Sequence, residues 1–251
     1  MSASPILATR DLGLVIGGAT IVAGVGLEVR EGELLGVIGP NGAGKTTLFN
    51  LVSGLLRPTS GSVELDGADI TAEPPARRAR AGIGRTFQVS NVFPLLSVHE
   101  NVRLAAEAAL GGTMRLWRLA DRVEEARARA GSALERVGLA SRSPLPAGLL
   151  SHGDKRKLEV AMVLAGNARV ILLDEPMAGV SMEDVDELVE LIRSVHADGR
   201  TVLMVEHHME VVTGLAERIA VLHNGELLAV DTPESIMRNE TVQRAYLGEP
   251  L

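Results

Sequence analysis

Two hydrophobic rhythms alternate along this chain. Residues 32–39, 169–173 and 201–205 are short apolar runs rich in Leu, Val and Ile, the pattern of strands buried on both faces. Between and after them, residues 45–56, 154–164, 182–196 and 209–216 read as helices, the third clearly amphipathic. Gly17-Gly18, Asp66-Gly67 and Asn224-Gly225 sit between apolar segments and predict tight turns, the last joining strands at 219–222 and 227–230. From about residue 98 to 139 the texture shifts to Ala, Arg, Glu and Leu, the composition of surface-rich helices, and Pro144, Pro146 and Gly148 close that block. Alternating strands and helices predict a mainly parallel α/β sheet with antiparallel strands at its margins.

One apolar stretch needs a separate account. Residues 12–27 carry no charge, but five of them are glycines and the run is shorter than the roughly 20 residues that span a bilayer. Arg10 is offset by Asp11, so the positive flank of a signal peptide is missing. Buried strands around Gly17-Gly18 are the expectation, and with no other long apolar run the chain is expected to be soluble and cytoplasmic.

Composition narrows the chemistry. The chain is 46% hydrophobic but only 2% aromatic, so the core must be aliphatic. With 25 basic against 32 acidic residues the formal charge is −7, which argues against a general nucleic-acid binder. The absence of cysteine removes disulfides, thiolate catalysis and Cys-based zinc sites. Arg77, Arg78, Arg80 and Arg85 form a basic cluster that reads as a solvated face, and the lone Trp117 reads as an anchor for a charged helix over 115–136.

The chemistry is concentrated at two places. Gly39, Pro40, Asn41, Gly42, Ala43, Gly44, Lys45 and Thr46 fit G-x-x-x-x-G-K-[ST], directly after an apolar strand and before a helix. Glycines let backbone N–H groups curl around a polyphosphate, and the helix N-terminus adds a positive field. Lys45 would reach the β- and γ-phosphates, and the Thr46 hydroxyl, with Thr47 beside it, would face Mg²⁺ and phosphate. The strand at 169–173 then delivers Asp174 and Glu175 at its C-terminal end, where open α/β sheets bind ligands. Asp174 suits Mg²⁺ through its water shell, and Glu175 suits the orientation of an attacking water.

Leu150, Ser151, His152, Gly153 and Asp154, about twenty residues upstream of that strand, resemble the LSGGQ signature of ABC-type ATPases, and the resemblance covers the whole chain. It implies an α/β fold with a P-loop NTPase (RecA-like) core, an antiparallel β margin and an inserted α-helical subdomain. The expected division is core at 1–91 and 160–251 and helical signature subdomain at 92–159. It also implies that Ser151 and the Gly153 N–H meet the γ-phosphate of ATP bound to a second subunit. Gln88 matches the glutamine that senses Mg²⁺ and water, and His207, rather than His208, matches the histidine at the γ-phosphate. Ile16 stands near the position of the residue that stacks on adenine, where an apolar contact replaces an aromatic one.

Departures from the pattern are His152 and Asp154 in the signature and Ser181 in place of the usual D-loop Asp. Asp154 is expected to weaken the local positive potential slightly. The Gly17-Gly18 region, the stretch Arg85 to Gln88 and the tail from Thr232 to Glu249 resemble the ATPases of branched-chain amino-acid importers, the larger of their two ATPase subunits. The implied partners are a second ABC ATPase subunit, two transmembrane permease subunits and, indirectly, a solute-binding protein, at the cytoplasmic face of a bacterial inner membrane. Urea/amide and lipopolysaccharide systems remain as alternatives, as does a soluble non-transport ABC ATPase.

Overall fold

A computed structural model describes residues 4–86, 92–111 and 119–247. In chain order, strands β1 (Leu7–Ile16) and β2 (Ala19–Val29) form a hairpin, and β3 (Leu34–Ile38) leads into helix α1 (Lys45–Val52). Strands β4 (Ser60–Leu65) and β5 (Ala68–Asp69), helix α2 (Pro75–Arg80) and strand β6 (Ile83–Arg85) follow. Helices α3 (Val98–Leu110), α4 (Leu119–Arg136) and α5 (His152–Ala165) make a lobe before β7 (Val170–Asp174). The chain finishes with α6 (Met182–Ala197), β8 (Thr201–Val205), α7 (Met209–Leu215), β9 (Arg218–His223), β10 (Glu226–Asp231), α8 (Pro233–Arg238) and α9 (Glu240–Leu247).

Among the described residues the strands form an antiparallel sheet ordered β2-β1-β4-β5 and a mostly parallel sheet ordered β10-β9-β3-β8-β7-β6. The apolar runs of the second sheet face two cores. Leu35, Val37, Val170, Leu172, Leu203 and Val205 pack with α1 toward the antiparallel sheet. Leu34, Ile38, Ile171, Leu173, Val202 and Met204 point the other way, toward α5, α6 and α7. A two-residue period with both faces covered is why these strands read as continuous hydrophobic runs.

Register does the positioning. Val37 of β3 lies opposite Val205 of β8, which lies opposite Asp174 of β7, so three strands end in one row. The loops beginning at Gly39, Glu175 and Glu206 therefore emerge side by side at the C-terminal edge of the sheet.

The helical lobe is held by small side chains. Ala106 of α3 and Ala126 and Ala130 of α4 are fully buried, which lets these helices approach closely. Helix α5 runs unbroken from His152 to Ala165, across the expected division at 159/160, and serves both lobe and sheet. Helix α1 stops at Val52 rather than extending to 56, because the backbone turns left-handed at Gly54 (φ 80°), and Arg78 takes up the last carbonyls: Nη1 donates to Leu51 O and Val52 O at 2.7 and 2.8 Å.

That bond corrects the reading of the arginine cluster. Arg78 is 1% exposed and Arg85 is buried beside Asp174, while Arg77 and Arg80 remain at the surface. In the short helix α2 only Arg78 turns inward, onto backbone carbonyls. Arg85 follows from β6 onto the Asp174 carboxylate with Asn50 and Ser53 as further acceptors, which makes the burial tolerable. Trp117 and Gln88 lie outside the described residues.

Candidate functional site

The loop after β3 is built around positions where a side chain cannot fit. A Cβ on Gly39 would lie 2.2 Å from the Leu222 carbonyl oxygen, and Gly44, the N-cap of α1, has φ 96°. No side chain caps α1, so its first-turn N–H groups remain open to an anion. Lys45 is buried, and its Nζ donates to the carbonyls of Gly39 and Pro40 at 2.7 and 3.0 Å. Burial lowers the affinity of this ammonium for its proton, while Glu175 and Asp174 act in the opposite direction. Thr46 and Thr47 occupy the next two positions of α1, half-buried.

Across the sheet edge, Asp174 is 1% exposed and receives Nη2 of Arg85 on Oδ2 at 2.8 Å. Arg85 Nη1 also donates to Asn50 Oδ1 and Ser53 Oγ, so the guanidinium ties β6 and α1 to β7. Burial pushes the Asp174 carboxyl above the usual carboxylate range, and Arg85 pulls it back. Among the described residues Asp174 Oδ1 has no hydrogen-bond partner. The orphaned carboxylate oxygen of Asp174 at the end of β7 is a hard-oxygen donor that fits Mg²⁺, and the Thr46 hydroxyl, in the first turn of α1, would be a second.

Glu175 adopts φ 49°, a left-handed backbone uncommon for a residue with a side chain. Its N–H donates to Val205 O at 2.9 Å, and its Oε1 lies 2.8 Å from His207 Nε2. His208 instead places Nδ1 3.0 Å from Glu206 Oε2.

Glu206 escaped the sequence reading. It is 2% exposed, accepts the Met177 N–H at 2.7 Å and the His207 N–H at 2.9 Å, and so joins the loop after β7 to the loop after β8. The available signal was its place at the end of an apolar strand beside two histidines. Glu206→Ala leaves those N–H groups unpaired, so unfolding free energy should fall by about 2–3 kcal/mol and turnover by roughly tenfold as His207 loses its support. Denaturant titration and steady-state phosphate release measure the two effects.

In the signature, Ser151 caps α5, accepting the Asp154 N–H at 3.1 Å. Asp154 is buried and paired with Arg142, whose positive charge it offsets. Ser181 is the N-cap of α6, its Oγ donating to Asp184 Oδ2 at 2.8 Å. Ile16 lies 54% exposed at the end of β1, in the hairpin whose second strand brings the Ile21 carbonyl beside Gly44. In α9, burial pushes the Tyr246 phenol up to about 12, against a hydrogen bond from the Gly39 backbone.

Residues 22–178 match the family described as ABC transporter. The chain belongs to that family. Residues 226–250 also match a family described as branched-chain amino acid ATP-binding cassette transporter. This cassette is 39% identical to the high-affinity branched-chain amino acid transport ATP-binding protein LivG of Salmonella typhimurium, over 98% of each chain. It is 38% identical, with the same coverage, to the corresponding protein BraF of Pseudomonas aeruginosa. In structure it is similar to a nucleotide-free ATP-binding cassette from an ABC transporter, with TM-score 0.85 and 28% identity over 97% of this chain and 99% of the other. A dimeric bacterial ABC transporter cassette matches with TM-score 0.77 and 28% identity over 90% of this cassette and 98% of that chain. The cassette is thus an ABC-type ATPase with a P-loop core, an antiparallel margin and a helical subdomain. No helix among its described residues is long and apolar enough to cross a membrane.

Proposed function

We propose that this cassette is the ATP-hydrolysing subunit of an importer for branched-chain amino acids, acting at the cytoplasmic face of a bacterial inner membrane. The observation that carries the reading is likeness from end to end: 98% coverage of LivG and a match at the tail as well as the core. In this reading it pairs with a second ABC ATPase subunit, two permease subunits supply the membrane path, and a solute-binding protein delivers cargo.

The uncapped N-terminus of α1 and Lys45 receive the β- and γ-phosphates of ATP. Gly39 to Gly44 wrap them, and Ile16 offers an apolar contact to the base. Asp174, Thr46 and Gln88 would hold Mg²⁺, which when bound offsets phosphate charge. Glu175 orients water toward the γ-phosphorus; the new oxygen–phosphorus bond forms as the bond to the β–γ bridging oxygen breaks, giving ADP and phosphate. His207 holds Glu175 on one side and faces the γ-phosphate on the other. Ser151 and Gly153, at the N-terminus of α5, serve the nucleotide held by the partner ATPase.

The test is ATP-dependent uptake of L-leucine, L-isoleucine or L-valine into proteoliposomes holding the complete complex and its binding protein. Uptake together with leucine-stimulated hydrolysis is expected. A complex that hydrolyses ATP but responds to none of the three overturns the assignment.

A further inference from the structure

Helices α5 and α6 pack against each other, and their first turns meet at the signature. A Cβ on Gly153 would lie 2.6, 2.8 and 3.0 Å from Oδ2, Cγ and Cβ of Asp184, so the aspartate side chain lies along the glycine. With a C–C bond of about 1.5 Å, Oδ2 stands within about 4 Å of Gly153 Cα. Ser181 holds that same oxygen in place: its hydroxyl donates to Oδ2 at 2.8 Å, and its Oγ accepts the Asp184 N–H at 3.3 Å. The family pattern has Asp at position 181, and a carboxylate there has no proton to donate to Asp184. One turn further along both helices, Lys157 of α5 pairs with Glu187 of α6 and fixes this register.

The carboxylates at this junction are not balanced alike. Asp154 pairs with Arg142 and Glu187 with Lys157, whereas no cation among the described residues comes within ion-pair distance of Asp184. Asp184 is half-buried, so solvent and salt screen it incompletely. It rests beside the positive end of α5, the end at which Ser151 and the Gly153 N–H stand ready for a phosphate.

We propose that Asp184, aimed by the Ser181 hydroxyl, sets the affinity of the signature for the γ-phosphate, because ATP carried by the partner subunit enters against this carboxylate. The proposal rests on the reading above in which Ser151 and Gly153 serve the partner's nucleotide, and it adds the residue that tunes that contact. A fixed negative charge within a few ångströms of the α5 N-terminus raises the ATP concentration needed to bring the two ATPase subunits together. It opposes ADP far less, since ADP brings no γ-phosphate to the signature. Asp184 works through the field at Gly153 and touches neither nucleotide nor reacting water.

The test compares Asp184→Asn, Glu183→Gln and Ser151→Ala in the assembled complex, by equilibrium binding of a non-hydrolysable ATP analogue and of ADP. Asparagine keeps the size of the side chain and an oxygen for the Ser181 hydroxyl, and loses only the charge. Glu183, exposed in the same turn of α6, loses an equal charge from outside the Gly153 contact. At low ionic strength Asp184→Asn should bind the ATP analogue roughly threefold to tenfold more tightly than wild type, and the gain should shrink in about 0.5 M salt. ADP affinity of the complex, and affinity of the dilute isolated cassette for the analogue, should hold at wild-type values, as should every value for Glu183→Gln. Unchanged or weaker analogue binding in Asp184→Asn overturns the proposal, and so does an equal gain for ADP, for the isolated cassette or for Glu183→Gln. Ser151→Ala tests the underlying reading: it should weaken binding of the analogue in the complex and spare ADP. If it binds the analogue as wild type does, the reading of the signature fails and the proposal falls with it. If Ser151→Ala is impaired while Asp184→Asn matches wild type, the proposal fails alone.

Discussion

Glu175→Gln should lower ATP turnover by about a thousandfold while leaving nucleotide affinity nearly unchanged. The side chain keeps its length, its left-handed backbone and its anchor to Val205 O, so the geometry of the edge survives. In the proposed mechanism what is lost is the negative charge that draws a proton from water as the oxygen approaches phosphorus. Affinity is there assigned elsewhere, to Lys45 and to the open N–H groups of α1. Steady-state phosphate release and titration with a fluorescent ATP analogue separate the two quantities. A variant with wild-type turnover removes Glu175 from the mechanism, and one that no longer binds ATP makes it a binding residue.

Arg85→Ala is expected to be the most destabilising single change at the site. Its guanidinium and the Asp174 carboxylate are 6% and 1% exposed and 2.8 Å apart. Removing one partner of a buried pair leaves the other charge uncompensated, at a cost of about 3–5 kcal/mol. For a domain of this size that lowers Tm by roughly 10 °C. Because Asp174 lies above the usual carboxylate range through burial, losing Arg85 raises it further, so the variant takes up its proton at higher pH than the parent. The sign follows: a carboxyl raised in the folded state favours folding when protonated, so the deficit shrinks as pH falls through the raised value and widens above it. Arg85→Ala with Asp174→Asn should lose less than the two single changes added together, because the double variant strands no charge. Thermal unfolding of the four proteins of this cycle between acid and neutral pH checks both statements; strictly additive losses would show that the pair is not coupled.

The reading of Arg85 shows where local pattern runs out. Arg77, Arg78, Arg80 and Arg85 look alike along the chain, and a charged cluster is ordinarily a solvated one. Arg78 is buried because the end of α1 needs donors for Leu51 O and Val52 O, and Arg85 because β6 lies beside β7 and delivers it to Asp174. Both partners are remote in sequence. The same holds for Glu206, whose value comes from the Met177 N–H across the loop.

The chain alone determined the three inner apolar strands, their double burial, the polyphosphate loop and the acidic strand end, because each is written in contiguous residues through a backbone period or a turn requirement, whereas the short strand β6 went unread. Gly39 to Thr46 needs only its neighbours to become an anion cradle, and Val170–Asp174 needs only its apolar run to become an inner strand. Tertiary structure decided which charges are silent and which are exposed to chemistry: Arg85 against Asp174 and His207 against Glu175. These choices depend on strand order and on side chains tens of residues apart. Burial makes the Arg85–Asp174 pair matter most, since a charge removed from water must find its partner wherever the fold brings one.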